Sequence, residues 1–221
     1  MHKPSLQNLI ESRRQFMMGA AAAAFMPWSS EVRAAVELEG VQLEETITAH
    51  GKKLVLNGIG LRRRGYFKAD VTALYLPERR TTAEAIMKLD GIRRIQLNIL
   101  REFTSSTISR IFIADFKQVA TDEEFKQLIG VISQIGAAYS GVRKVVKGDV
   151  VDLDWVPGRG WMAEHNGKQL QADAGGDVAI NNELAYQIYM RMYIGQHAPA
   201  ELRNGLLGLT KLKRVGEDGP A

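Results

Sequence analysis

Arg62-Arg63-Arg64 closes a run of apolar residues and glycines, Leu54-Val55-Leu56-Asn57-Gly58-Ile59-Gly60-Leu61. A guanidinium presents its N–H donors as a flat fork. At the end of an apolar face it can take a carboxylate or phenolate through two hydrogen bonds. On a regular strand Arg62 would share a face with Leu54, Leu56, Gly58 and Gly60, and the glycines would let a ligand approach the backbone. One bulge would exchange the faces of the three arginines, and at a hairpin tip all three can be solvated instead.

Other residue types bound the chemistry. The 221 residues include no cysteine, so disulfides, thiolate metal sites and a thiol nucleophile are excluded. His2, His50, His165 and His197 lie far apart without ligand spacing and are expected at the surface or as caps. Asp152 and Asp154 share one strand face. With no further acid close by they are expected to be solvated rather than metal ligands. Tyr186, Tyr189, Met190 and Tyr193 recur at helical spacing, a stripe expected in the core that can also line a pocket. Trp155 and Trp161 flank a turn and are expected to pack there. Arg101 is a second candidate cation with an expected surface role. Asn57 is placed to satisfy backbone groups beside Gly58.

The elements that position these groups follow from periodicity. Residues 52–61, with a glycine-permitted bulge near their end, and 66–76 alternate as two strands joined by the short link Arg63-Arg64-Gly65, an antiparallel hairpin. Thr82 to Leu89 reads as a short helix capped by Thr82 and ended by Asp90-Gly91. Residues 92–100 alternate again, with Ile95, Leu97 and Ile99 on one face. Thr104 to Val119 switches to helical spacing, with Ile108, Ile111, Phe112, Phe116 and Val119 as its stripe. Thr121-Asp122-Glu123-Glu124 is a capping box opening a second helix that turns Phe125, Leu128, Ile129 and Ile132 inward. Residues 149–172 read as strands, with turns at Pro157-Gly158-Arg159-Gly160 and Asn166-Gly167. Helices over about Asn182–Ile194 and Pro199–Leu207 close the domain, and the polar tail 211–221 is expected to be disordered. This order predicts an α+β fold, an antiparallel sheet covered on one face by helices.

The first 34 residues read as a leader. Ser12-Arg13-Arg14-Gln15-Phe16-Met17 precedes an apolar run from Met17 to Trp28, too short to span a bilayer as a mature helix, and Val32-Arg33-Ala34 offers small residues to a signal peptidase. The arginine pair resembles the twin-arginine signal Ser-Arg-Arg-x-Phe-Leu-Lys, with Met17 and Met18 in the last two places. The expected organisation is a twin-arginine signal peptide at 1–34, a domain at 35–210 and a flexible tail at 211–221, in a periplasmic protein exported by the twin-arginine machinery. Half of the formal net charge of +4 lies in the leader, and the remaining bases are scattered among acids apart from the arginine run. Nucleic acid is therefore not an expected partner.

Two segments carry a family resemblance. Leu56-Asn57-Gly58-Ile59-Gly60-Leu61-Arg62, followed by Val71-Thr72-Ala73-Leu74-Tyr75-Leu76, resembles the opening of chalcone isomerases, Gly-x-Gly-x-Arg-Gly and an Ala-Ile-Gly-Val-Tyr-Leu strand. Met192-Tyr193-Ile194-Gly195, with Pro199-Ala200-Glu201-Leu202-Arg203 through Leu206-Leu207-Gly208, resembles the closing pair of helices. The resemblance spans roughly residues 38–208 and is closest to the bacterial chalcone isomerase-like branch, a domain of exported proteins. It implies an open-faced β-sandwich and assigns Arg62 as the cation that meets negative charge. It puts Asp70 where the plant enzymes have a threonine, able to orient Arg62 but repelling an anion. The plant helix carries a tyrosine and an asparagine. The helix here has neither, and Ser106 or Thr107 stands near the tyrosine slot, a far poorer acid.

These departures argue against chalcone isomerase activity. Non-catalytic relatives include fatty-acid-binding proteins in which the same arginine holds a carboxylate. The leading expectation is a non-catalytic binder of a small apolar anion, without cofactor or metal. Its candidate ligand-binding residues are Arg62, Asp70, Tyr75, Thr107, Tyr189 and Met190. A binder predicts a long apolar tunnel. The alternative is an isomerase or intramolecular lyase with an altered site, using Arg62, Asp70 and Thr107 in a compact cleft of convergent polar groups. A ligand-free accessory envelope protein would instead have a collapsed cleft and an exposed apolar patch.

Overall fold

A computed structural model describes residues 34–170 and 179–216. Three short strands come first, β1 (Ala35–Leu38), β2 (Val41–Glu44) and β3 (Thr46–Ala49). The long hairpin follows as β4 (Lys52–Arg64) and β5 (Phe67–Leu76), turning at Gly65-Tyr66. Then come α1 (Ala83–Met87), β6 (Arg93–Ile99) and β7 (Phe103–Thr104). The helical layer holds α2 (Ser105–Val119), α3 (Asp122–Gln127) and α4 (Ile129–Ser140). The chain returns through β8 (Lys144–Val145), β9 (Val150–Val156), β10 (Gly160–His165), β11 (Lys168–Gln169) and β12 (Ala179–Ile180). It ends in α5 (Glu183–Ile194), α6 (Ala200–Leu206) and β13 (Lys213–Arg214).

The main sheet is antiparallel in the order β11-β10-β9-β6-β5-β4-β3, with β12 also on β10. The α+β class is the one the sequence predicts. One face buries Leu74, Leu76, Ile95, Leu97, Ile99, Val151 and Leu153 against α2, α4 and α5. Alternation sends Val71, Ala73 and Tyr75 to the opposite face, where they pack with Val36, Leu43, Leu54 and Leu56. That second core lies with a three-stranded sheet, β13-β1-β2.

Local signals hold at most helix ends. Thr82, Thr104 and Asn182 accept backbone N–H bonds as N-caps, and the Thr121–Glu124 capping box is complete. Three expectations change. The second helix breaks at Leu128 into α3 and α4, so Leu128 and Ile132 are buried while Ile129 is 58% exposed. Strands β1 to β3 come from a segment without a sequence signal. Part of the expected tail is ordered, since Lys213 and Arg214 pair with Glu37 and Val36; its residues 217–221, and residues 1–33 of the expected leader 1–34, lie outside the described residues. Among the described residues no helix is long and apolar enough to cross a membrane.

Candidate functional site

The first strand of the hairpin is not regular. Leu56 pairs with Tyr75 and Gly58 with Leu74, leaving Asn57 as a bulge. Leu54 and Leu56 therefore face the small sheet, while Gly58, Gly60 and Arg62 face the helices. The bulge that the glycines permit thus falls at Asn57, and it parts Leu54 and Leu56 from the face of Arg62. It also changes the role of the glycines, which admit a helix rather than a ligand. A methyl group on Gly58 would collide with the carbonyl oxygen of Gly205, and one on Gly60 would sit 2.8 Å from that of Leu202. Asn57 fixes the contact, donating to the Leu206 carbonyl at 2.7 Å and accepting from the Arg80 N–H at 2.7 Å.

Arg62 and Arg64 line a pocket between the sheet and the helices, and Arg63 is exposed. Arg62 donates from Nε to Asp70 Oδ2 at 2.7 Å, and its Nη2 lies 2.7 Å from the same oxygen. Thr72 donates to the other carboxylate oxygen at 2.7 Å. Asp70 is fully buried and each of its oxygens has a donor. It therefore neutralises the arginine from behind instead of standing in the pocket to repel an anion. Burial works against the Arg62 charge. Asp70 and the neighbouring phenols outweigh it and raise the guanidinium pKa above its ordinary value, so the cation is permanent. Nη1 of Arg62 has no hydrogen-bond partner among the described residues.

The pocket walls are mostly apolar, with Leu97, Ile99, Phe112, Val151 and Leu153 among them. The cavity measures about 80 Å³ for water-sized occupants, within about 810 Å³ of atom-free space that includes its mouth. Three tyrosines complete it: Tyr139 from α4, with Tyr189 and Tyr193 from α5. The Tyr189 and Tyr193 hydroxyls are 2.9 Å apart, and the Arg62 guanidinium lies 5.5 Å from the Tyr193 ring centre. Burial pushes all three phenols above their ordinary pKa, with Arg62 pulling the other way. They are neutral donors and not bases. Of the other polar side chains, Asp115 binds Arg64 through both oxygens but leaves the buried Arg64 Nε without a partner among the described residues, and His165 lies 2.9 Å from Asp149.

Other predicted site residues lie elsewhere. Tyr75 is on the opposite face of the sheet, where its hydroxyl donates to the Glu44 carbonyl at 3.0 Å. Thr107 is held in the first turn of α2, 3.0 Å from the capping hydroxyl of Thr104, and does not line the pocket. Met190 is fully buried in the core, and Met192 is the methionine that lines the pocket. Arg101 stacks on Phe67, 4.0 Å from the ring centre. Trp155 and Trp161 are cross-strand partners flanking the β9–β10 turn, and both are buried against the aromatic rings of α5. Tyr139 carried no sequence signal, because α4 has no clear polar face on which a pocket residue would stand out.

Asp152 and Asp154 are buried, contrary to the solvated expectation. On the face away from the pocket, Arg94 reaches Asp154 by two hydrogen bonds of 2.8 and 2.6 Å, and its Nη1 lies 3.0 Å from Asp152. His50 Nε2 sits 2.7 Å from Asp154, and Gln96 donates to Asp152 at 2.9 Å. The acids are thus consumed by an arginine on the neighbouring strand β6, 60 residues from Asp154 in sequence. No group of three or more His, Asp or Glu among the described residues is arranged to hold a metal.

The fold and this arginine-floored pocket define a chalcone isomerase-like domain. The sequence pattern of the family described as chalcone isomerase-like matches residues 35–208, and the chain belongs to that family. The fold is similar to that of a fatty-acid binding protein of Arabidopsis thaliana, with TM-score 0.63 and 14% identity over 80% of this chain and 96% of that one. No curated protein sequence matches.

Proposed function

We propose that this protein is a non-catalytic binder of a small, largely apolar anion of the fatty-acid kind, with Arg62 as the anchor. The supporting observation is the free Nη1 of a permanent cation at the end of an apolar pocket, its charge balanced from behind by buried Asp70. Neutral phenols beside it supply donors to an anion and no base to react with one. The structural likeness to a fatty-acid binding protein agrees with this reading. One observation favours a second reading, an isomerase or intramolecular lyase with an altered site. The cavity is compact rather than a long tunnel, and three phenols converge beside Arg62. The phenols would then protonate or stabilise an enolate in place of the absent helix tyrosine. A ligand-free accessory role expects a collapsed cleft, and the pocket is open.

Residues 1–34 act, in the same proposal, as a twin-arginine signal that exports the folded domain to the periplasm. The Ser12-Arg13-Arg14 motif supports it, as does a family match that starts at residue 35, one past the expected cleavage site. Native mass spectrometry of the purified protein, followed by denaturing extraction, tests the binder. A bound apolar acid that is lost in Arg62→Ala supports it. Empty protein that turns over chalcone-like enones supports the enzyme. N-terminal sequencing of the periplasmic fraction tests export, with Ala35 as the expected first residue.

A further inference from the structure

The tip of the β4–β5 hairpin carries two exposed aromatic rings side by side in sequence, Tyr66 at 98% exposure and Phe67 at 59%. Neither contributes to a core. Two cations flank them. Arg63 is exposed without an acidic partner among the described residues, and Arg101 covers Phe67 without one. Lys68 and Arg64 stand on the same tip, engaged by Glu39 and Asp115. Single exposed apolar residues are ordinary, but adjacent rings with unpaired arginines on a projecting turn are not.

We infer that this tip docks the protein on the surface of an anionic phospholipid bilayer, Tyr66 and Phe67 entering the headgroup region and Arg63 and Arg101 meeting lipid phosphates. Two rings on a hairpin turn present far too little area for a stable protein interface, which needs about 1,000 Å² or more. A bilayer requires no shape complementarity. A tyrosine ring, with one apolar and one wet end, favours the membrane interface, the Phe67 ring adds apolar area beside it, and each nearby arginine strengthens binding to an anionic surface by about fivefold. The tip also adjoins the pocket. Arg64, one residue before the turn, is both tip and pocket wall, and its bond to Asp115 ties the hairpin to α2. A docked tip would bring the pocket close to a source of apolar anions. The inference stands without that link, since it concerns the surface and not the ligand.

The chain contains no cysteine, so a single Tyr66→Cys substitution accepts one environment-sensitive fluorophore. Vesicles of phosphatidylcholine alone and of phosphatidylcholine with phosphatidylglycerol are the probes. The label at Tyr66→Cys is expected to shift its emission to the blue with the anionic vesicles only, while a label at exposed Glu123→Cys on α3 does not shift. In sedimentation, Arg63→Gln with Arg101→Gln is expected to weaken binding to anionic vesicles by about tenfold or more. Tyr66→Ser with Phe67→Ser should weaken it by a similar factor. No shift at the tip label overturns the inference, whatever the protein carries in its pocket. An equal shift with neutral vesicles, or full binding by the substituted tips, overturns it as well.

Discussion

Arg62 places both Nε and Nη2 2.7 Å from one oxygen of Asp70, so the cation is aimed by a carboxylate that never faces the pocket. Paired residues on β4 and β5 make this geometry, because Arg62 and Asp70 are direct cross-strand partners. The pair is half of the ligand hypothesis and a stability element in its own right.

Removing one partner should separate these roles. Arg62→Met leaves Asp70 buried without its counter-charge, an expected loss of about 3–5 kcal/mol in urea unfolding. Arg62→Met with Asp70→Asn removes both charges and should recover most of that stability without restoring ligand binding. A double substitution as unstable as the single would sink the assignment.

The two bonded phenols should each contribute to affinity. Tyr193→Phe or Tyr189→Phe removes one donor and leaves the ring in place. A loss of about 0.5–1.5 kcal/mol in binding an apolar carboxylate is expected by calorimetry. Unchanged affinity in both would mean that the hydroxyls serve packing alone.

Gly58 and Gly205 hold a strand and a helix at backbone contact. Gly58→Ala should destabilise by about 1–3 kcal/mol, because the obstructing atoms, the Gly205 and Leu206 carbonyl oxygens and the Gly208 nitrogen, are main chain and cannot swing away. Gly130→Ala, on α4 with open space around it, is the control and should be neutral or mildly stabilising. Equal melting temperatures for the two variants would refute the close contact.

His50 should make stability depend on pH. Its hydrogen bond to Asp154 raises its pKa above 6.5, with burial opposing and losing. The folded state therefore holds the proton more tightly than the unfolded chain. The stabilisation is complete below 6.5 and fades as pH rises through the folded value. His50→Asn suits the positive φ of 48° and cannot titrate. The wild type is expected to lose melting temperature as pH rises above 6.5, beyond any loss in His50→Asn. Parallel profiles would show that the proton is not linked to folding.

Much of the fold was legible because its signals are local. Alternation exposes β5, β6 and β9, hydroxyl caps mark α1, α2 and α3, and Asn166-Gly167 marks a turn whose two residues both have positive φ. Strands β1 to β3 have only four residues each and offer too few positions for a period. Register was the main loss at the site. Gly58 and Gly60 permit a bulge in this strand but do not say which residue is extra, so Arg62 came out on the right face only through the family spacing, while Leu54 and Leu56 came out on the wrong one. Asp152 and Asp154 failed for another reason. Their burial depends on Arg94 across the sheet, a long-range partner that no window of sequence contains.

Three consecutive arginines at the end of a bulged strand also act as insurance against indels. Losing Asn57, or gaining a residue before Gly60, would invert the faces of everything beyond that point. Arg63 would then turn toward the helices in place of Arg62 and Arg64, and the pocket would keep a cation though not its pairing with Asp70. Length variation in this strand is thus buffered for charge and unbuffered for aim.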